Sequence, residues 1–190
     1  GARFLTHEEA VVYLDLPPGL SVWDDIRQLE VRLEAHPLVE EATGHRRFPD
    51  ALLFAVKERQ PVALFPNPTL EPVDEDGRIL PIDPALHKLD LPILALAGQR
   101  RAGSVSPKDL RLMAGEISRL AEGDPEFHAK ISDLALYPGG YLTARISDPP
   151  VTQRSVPGLP SGRIRTGLRV LADAMGRFES RDVMDLDLRF

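Results

Sequence analysis

The last seven residues of the chain alternate between apolar and charged side chains. The apolar positions are Met184, Leu186, Leu188 and Phe190, and the charged positions are Asp185, Asp187 and Arg189. Alternation with a period of two is typical of a strand with one buried and one exposed face. Since no turn or closing segment follows, we expect one row of backbone N–H and C=O groups of this strand to lie at an open sheet edge. Such an edge is a template for a strand of another chain, although a sequence that ends in the middle of a sheet gives the same pattern.

The composition is that of an ordinary folded protein. The chain has 190 residues, of which 43% are hydrophobic and 27% are charged, enough for one full core or two small domains. Its net charge of −6 argues against nucleic acid as a main partner, because phosphate binding needs a basic surface. It contains no run of about 18 apolar residues, the length that a membrane-spanning helix needs. It has no cysteine, which excludes disulfides and thiolate chemistry.

The first sixty residues predict two helices followed by a hairpin. Thr6-His7-Glu8-Glu9 is a capping box that opens the first helix. Ser21 is expected to cap the second helix, whose apolar residues recur at helical spacing: Val22, Ile26, Leu29 and Leu33. Two strands then follow, at Leu38–Arg47 and Ala51–Arg59. These elements form a small α+β unit, and one short strand before Gly1 would complete a three-stranded sheet.

Pro61 marks the expected boundary between two domains, and short strands with two or three helices follow it. Ser106-Pro107 opens the strongest helix, and a final helix is expected from about Arg165 to Arg177. Asp74–Gly77 is expected to form a hairpin turn, and Pro149–Gly162 a loop. The predicted strands are Val62–Phe65, Leu70–Val73, Arg78–Leu80, Leu91–Leu96, Ile131–Tyr137 and Tyr141–Ile146. The predicted fold is α+β, with a small helical and stranded domain at 1–60 and a mostly antiparallel β domain at 61–190.

The residue patterns predict no enzymatic activity, no cofactor and no metal. The five histidines are scattered, without the spacing of a metal site. Asp74-Glu75-Asp76-Gly77 resembles the start of a calcium loop, but position 12 of that loop is Ala85, where a chelating Glu is required. Neither Gly-x-Ser-x-Gly nor Gly-x-Gly-x-x-Gly occurs. A group of arginines is either a solvated face or a contact for an acidic partner: Arg100, Arg101, Arg163, Arg165 and Arg169.

An ordered set of short motifs resembles the FtsQ/DivIB family of bacterial cell-division proteins. The motifs are Gly1-Ala2-Arg3-Phe4-Leu5-Thr6, His36-Pro37-Leu38-Val39, Phe48-Pro49-Asp50-Ala51-Leu52, Glu58-Arg59-Gln60-Pro61-Val62-Ala63-Leu64, Asp74–Pro81 with Leu91-Pro92, and Leu186-Asp187-Leu188-Arg189-Phe190. No single motif is specific, but their order and spacing span nearly the whole chain.

The resemblance implies a POTRA domain at 1–60 and a β domain at 61–190 whose C-terminal end is missing from the chain. It also implies an upstream cytoplasmic tail and one transmembrane anchor, both absent here. Members of the family are non-enzymatic scaffolds of the divisome. They lie at the extracytoplasmic (periplasmic) face of the inner membrane at the division site, where they bind the FtsB–FtsL coiled-coil pair and contact other divisome proteins through the POTRA domain.

The resemblance also implies two sets of site residues. The β domain of the family binds FtsB by adding a partner strand at its C-terminal edge, which here comprises Leu186, Asp187, Leu188, Arg189 and Phe190. Phe190 stands where many members have tyrosine. In the family, the POTRA segment after the second helix is linked to recruitment, and the resemblance implies that the corresponding residues here are Glu41, Gly44 and Arg46.

Two other functions remain open at this point. One is a POTRA-bearing chaperone or assembly module for outer-membrane or secreted chains, which would favour tandem POTRA domains. The other is a hydrolase with a cleft beside the long loop, which would need two close carboxylates.

Overall fold

A computed structural model of the chain describes residues 3–16, 19, 21, 23–97, 105–147, 150–160, 162–164, 166, 167, 169, 170, 173 and 185–189. The chain divides into two compact units. Unit 1 comprises Gly1–Gln60 with Leu80–Ile82, and unit 2 comprises Pro61–Ile79 with Asp83–Phe190.

Unit 1 contains two helices and an antiparallel pair of strands. These are α1 (His7–Leu14), α2 (Ile26–Glu34), β1 (Val39–Arg47) and β2 (Ala51–Glu58). The capping box of α1 is confirmed, because the Glu9 N–H donates to Thr6 Oγ1 (3.2 Å) while the Thr6 N–H donates to Glu9 Oε2 (2.9 Å). Helix α2 buries Ile26, Leu29 and Leu33, as their spacing predicts.

The predicted start of α2 is wrong. The helix begins at Ile26, and its N-cap is Asp25, whose side chain accepts the Arg27 N–H at 3.0 Å. Ser21 instead belongs to a preceding turn, in which its N–H donates to Asp24 Oδ2 at 2.7 Å. Three residues of capping types lie in this segment, Ser21, Asp24 and Asp25, and sequence alone does not decide which of them caps the helix. Val22, which was expected on the apolar stripe, lies outside the described residues.

A buried carboxylate joins the start of the described chain to the end of β2. Glu58 is 8% exposed, and its two oxygens accept the backbone N–H groups of three successive residues. The distances are 2.6 Å from Arg3, 2.9 Å from Phe4 and 2.6 Å from Leu5. Since buried N–H groups need acceptors, Glu58 fixes the path of the chain into α1.

Unit 2 is built on one mixed sheet with helices. Within the described residues, its strands lie in the order β4-β3-β5-β6-β7-β8-β9. Their bounds are β3 (Ala63–Pro66), β4 (Leu70–Val73), β5 (Ile93–Leu96), β6 (Ile131–Leu136), β7 (Leu142–Ser147), β8 (Pro150–Ser155) and β9 (Asp185–Asp187). The helices are α3 (Pro107–Gly123) and the short α4 (Pro125–His128). Residues 162–164, 166, 167, 169, 170 and 173 are also helical, and we call them the C-terminal helical segment.

The α+β class is confirmed, and the sheet of unit 2 combines both strand directions. Its antiparallel pairs are β3–β4, β6–β7 and β7–β8. Its parallel pairs are β3–β5, β5–β6 and β8–β9. The parallel β5–β6 pair is possible because the chain between these strands is long enough to cross over and includes α3.

Helix α3 supplies much of the core of unit 2. Ser106 Oγ accepts the Asp109 N–H at 3.2 Å, which confirms the predicted cap. The predicted apolar face is also confirmed, since all four of its residues are buried: Leu110, Met113, Ile117 and Leu120. The turn at Asp74–Gly77 is present as well, with Gly77 at a φ of 76°.

The predicted loop at Pro149–Gly162 is wrong over its first half, because residues 150–155 form β8. Val151, Gln153 and Ser155 are buried, and they alternate with the half-buried Thr152 and Arg154. This is the period of a strand. Two of the three buried side chains are polar, so the alternation is not visible as a hydrophobic pattern.

The open edge of the second sheet as candidate functional site

Strand β9 is the last strand of its sheet in the described part of the chain. It pairs with β8 in parallel, with Gln153 opposite Leu186 and Arg154 opposite Asp187. The Leu188 N–H continues this ladder and donates to the Arg154 carbonyl oxygen at 2.9 Å. Because backbone groups of successive residues in a strand point in opposite directions, those of Asp187 point away from β8. No strand of the described chain covers that side.

The apolar side chains at this edge face the core of unit 2. Leu186 and Leu188 are half-buried and pack against the core cluster. The C-terminal helical segment lies close to them, since a Cβ atom on Gly167 would be 2.9 Å from Leu188 Cδ2 and 3.2 Å from Leu186 Cδ2. The alternation of the last residues therefore places leucines on the inner face and charged side chains on the outer face.

Asp187 and Arg189 form an ion pair at the open edge. Arg189 Nε donates to both carboxylate oxygens of Asp187, at 2.9 and 3.0 Å, and Nη2 also donates to Oδ2. The Arg189 backbone N–H donates to Oδ1 at 3.1 Å. We call this set of contacts the Asp187–Arg189 clasp.

The clasp shifts the titration of both residues. Hydrogen bonds from the Arg189 side chain and then from its backbone lower the pKa of Asp187 to about 2, and the charge of Arg154 adds to the effect. The hydrogen bond to Asp187 raises the pKa of Arg189 above its usual value. Both groups are therefore charged throughout the physiological range.

Two tyrosines support the guanidinium of Arg189. Its Cζ atom lies 4.9 Å from the centroid of the Tyr141 ring, a cation–π geometry. The Tyr141 ring in turn stacks on Tyr137, with centroids 4.9 Å apart and an interplanar angle of 14°. Arg189 is thus held by a carboxylate at the edge of its guanidinium and by an aromatic ring at its face.

The structure places the sequence-predicted edge residues Leu186, Asp187, Leu188 and Arg189 together, whereas Phe190 lies outside the described residues. Sequence reasoning missed Arg154 and the contact of Tyr141 with Arg189. Arg154 was missed because its segment was interpreted as a loop. The sequence pattern of the segment did not reveal a strand, because two of its three buried side chains, those of Gln153 and Ser155, are polar. Arg100, Arg101 and Arg165 of the predicted arginine group also lie outside the described residues.

The three predicted recruitment residues of unit 1 do not form one surface. Gly44 lies under α2, where its N–H donates to Glu30 Oε1 at 2.7 Å. A Cβ atom on Gly44 would be 2.3 Å from Ile26 Cγ2, so the glycine permits close packing of helix on strand. Arg46 follows on the same face, and its Nη2 donates to the Asp24 carbonyl oxygen at 3.0 Å. Glu41 is exposed on the opposite face of β1.

A surface cleft of about 320 Å³ lies in unit 2. Its lining carries one carboxylate, that of Asp109, whereas the hydrolase alternative calls for two. The lining residues are Leu96, Ala97, Asp109, Leu136, Tyr137, Pro138, Gly139 and Gly140. Within the described residues, no cluster of His, Cys, Asp and Glu side chains could hold a metal ion. No helix in the described part of the chain is both long and apolar enough to cross a membrane.

Comparison with known proteins gives two matches. The model of the FtsQ-type POTRA domain matches residues 1–59. The cell division protein FtsQ of Syntrophotalea carbinolica (strain DSM 2380 / NBRC 103641 / GraBd1) is 28% identical over 119 residues, which cover 58% of this chain and 42% of that protein. The chain thus spans less than half the length of this relative. Together the two matches support assignment of the chain to the FtsQ/DivIB family of cell-division proteins.

Proposed function

We propose that this chain is part of a non-enzymatic divisome scaffold that binds a strand of another division protein at the open edge of β9. The partner is the FtsB–FtsL pair, and the complex forms at the extracytoplasmic face of the inner membrane, where an upstream helix anchors the protein. The observation that carries the proposal is the position of β9 at the end of the sheet in the described part of the chain, with the backbone groups of Asp187 directed away from β8. The similarity to FtsQ supports the biological setting.

Affinity in this mechanism comes from the main chain and selectivity from the side chains. Each hydrogen bond of an added ladder contributes about 1 kcal/mol net, so a short ladder alone is weak. Arg189 and Phe190 add the contacts that distinguish partners. Because Arg189 is about one-third exposed, an ion pair with a partner adds at most about 1 kcal/mol.

The opposite end of the sheet is a poorer docking edge. Its outer strand, β4, contains Pro72, which has no N–H to donate. Val73 of the same strand already bridges to Ile79 within this chain. Of the two edges of the described sheet, the β9 edge therefore suits strand addition better.

Titration of a synthetic peptide from the periplasmic end of FtsB of the same organism tests the proposal. We expect binding by the unaltered chain, weaker binding after Arg189→Glu or Phe190→Ala, and unchanged binding after Arg111→Glu. Arg111 is a matched control because it is an exposed arginine of α3 that is also paired with an aspartate. Its Nη2 lies 3.0 Å from Asp76 Oδ1. Equal binding by the unaltered chain and both edge variants would reject the site.

Amide hydrogen exchange tests the mode of binding. Strand addition should slow exchange at Asp187, whose N–H group points to the open edge. It should leave Leu188 unchanged, because its N–H already donates to Arg154. Protection at Leu188 without protection at Asp187 would rule out pairing at this edge.

We further propose that recruitment through unit 1 depends on Glu41, Gly44 and Arg46, by two physical routes. Glu41 is exposed and can contact a partner, whereas Gly44 acts through packing under α2. Arg46 is exposed but is also bound to the backbone at Asp24. In cells, Glu41→Arg in the full-length protein should reduce its accumulation at the division site without lowering thermal stability, while Gly44→Val should lower both. Normal localisation of Glu41→Arg would remove that residue from the proposal.

The chaperone alternative gains no support from the structure. It favours tandem POTRA domains, and the POTRA-type match covers residues 1–59. Unit 2 instead carries a seven-stranded sheet in its described part.

A further inference from the structure

We infer, on the basis of the proposed function, that Asp187 competes with the incoming partner strand for Arg189, so that the edge admits a segment carrying a carboxylate in preference to a neutral one. In the free protein the clasp occupies the donors that such a segment would meet. Asp187 is thereby a specificity-determining residue of the docking edge.

In the free protein, Asp187 already accepts hydrogen bonds from the backbone and the side chain of Arg189. The Arg189 backbone N–H donates to Asp187 Oδ1 at 3.1 Å. The same carboxylate accepts hydrogen bonds from Nε and Nη2 of the Arg189 side chain. A strand that pairs with Arg189 must therefore release its backbone N–H from Asp187, and this disturbs the side-chain contacts of the same carboxylate.

A partner strand that displaces Asp187 must replace the hydrogen bonds that Arg189 loses. A carbonyl oxygen of the added strand can accept the Arg189 N–H, but it cannot replace the paired hydrogen bonds to the guanidinium. A carboxylate can, because its two oxygens match the planar donors of arginine. A neutral segment would leave the guanidinium to water.

After displacement, the Asp187 carboxylate still lies near a second cation. Arg154 lies directly opposite Asp187 in the β8–β9 register, and its charge already acts on that carboxylate. Asp187 therefore keeps a cationic neighbour when a partner takes Arg189. Tyr141 lies against the guanidinium of Arg189 and can hold its plane in both states. The number of ion pairs at the edge stays the same only when the partner strand that displaces Asp187 carries a carboxylate.

The experiment uses the FtsB peptide in two forms, the natural one and one with its Asp and Glu residues replaced by Asn and Gln. The unaltered chain should prefer the natural peptide. Asp187→Asn should tighten its binding by about fivefold, the factor expected when an exposed competing pair is removed. In an Arg189→Ala background, Asp187→Asn should have no effect, which isolates the coupling between the two residues.

Asp133→Asn is the matched control. It removes the same charge from a carboxylate paired with an arginine, Arg145, at 3.4 Å, but on the interior strand β6. It should leave peptide binding unchanged. Amide exchange of the free protein provides a readout independent of binding: Asp187→Asn should speed exchange at Arg189 and leave Leu188 unchanged.

The outcomes separate this inference from the function on which it rests. If the natural peptide binds and Asp187→Asn weakens or does not change its binding, the inference alone is overturned. Faster amide exchange at Leu188 in Asp187→Asn has the same consequence, because it would show that Asp187 merely holds β9 in place. Absence of binding by every variant with both peptides overturns the proposed function, and the inference with it.

Discussion

Replacement of Glu58 by alanine should strongly destabilise unit 1. The side chain is 8% exposed and accepts the N–H groups of Arg3, Phe4 and Leu5. Alanine removes all three acceptor contacts. The bonds to Phe4 and Leu5 are buried, whereas the bond to Arg3 is partly buried, so water can replace that acceptor more easily.

The expected cost follows from these three contacts. A buried donor left without an acceptor costs about 1–3 kcal/mol. Two such donors, with some relief from water entering the vacated space, give about 3 kcal/mol for Glu58→Ala. Glu58→Gln keeps one carbonyl oxygen and should cost about 1 kcal/mol, since a neutral acceptor makes weaker hydrogen bonds than a charged one. A loss of about 3 kcal/mol is a large part of the stability of a unit this small.

Urea unfolding followed by tryptophan fluorescence measures the effect. Trp23 is the only tryptophan of the chain, and its ring centroid lies 5.5 Å from that of Phe48 in unit 1, so it reports on this unit. Glu40→Ala is the matched control, because Glu40 pairs with Lys57 on the exposed surface and should contribute less than about 1 kcal/mol. An unfolding midpoint of Glu58→Ala equal to that of Glu40→Ala would refute the reasoning.

Three further predictions concern unit 2. Gly77→Ala should cost about 2 kcal/mol or more in unfolding free energy, because the φ of 76° is strained for alanine and its Cβ would lie 2.6 Å from the Arg111 backbone N; an unchanged urea midpoint would contradict this. Ser106→Ala should cost about 1 kcal/mol through loss of the α3 N-cap, and thermal unfolding should then show a lower midpoint, with Ser106→Asp as the variant that restores it. The pKa of Asp187 is depressed in the folded chain, so the stabilisation from its clasp is fully present above its ordinary value of 3.8 and is lost as the pH falls through about 2. A carboxyl NMR titration should show that midpoint, Arg189→Ala should return it towards 3.8, and a midpoint near 3.8 in the unaltered chain would disprove the clasp.

Local signals predicted the elements that depend on nearby residues. The capping box at Thr6 and the cap at Ser106 were predictable because each contact spans three residues. The apolar face of α3 was predictable because helical periodicity is visible within the segment. The same reasoning failed at the start of α2, where several adjacent residues can act as caps, and at β8, where buried polar side chains conceal the alternation.

The role of Glu58 and the set of residues at the open edge were beyond sequence reasoning. Glu58 meets its donors across more than fifty residues of chain, and no local pattern specifies that contact. The pairing of Arg154 with Asp187 and the position of Tyr141 under Arg189 depend on the sheet order β7-β8-β9.

The sequence by itself determined the alternation around β9, with leucines on one face and charges on the other, because side-chain alternation is a local property of extended backbone. The family resemblance was also visible in the sequence, since short motifs in a fixed order can be recognised without coordinates. Only the tertiary structure decided that β9 is the last strand of its sheet in the described part of the chain and that Asp187 holds Arg189 there. Strand order and cross-strand contacts arise from pairing between distant segments, and the energy of that pairing is not encoded in either segment alone.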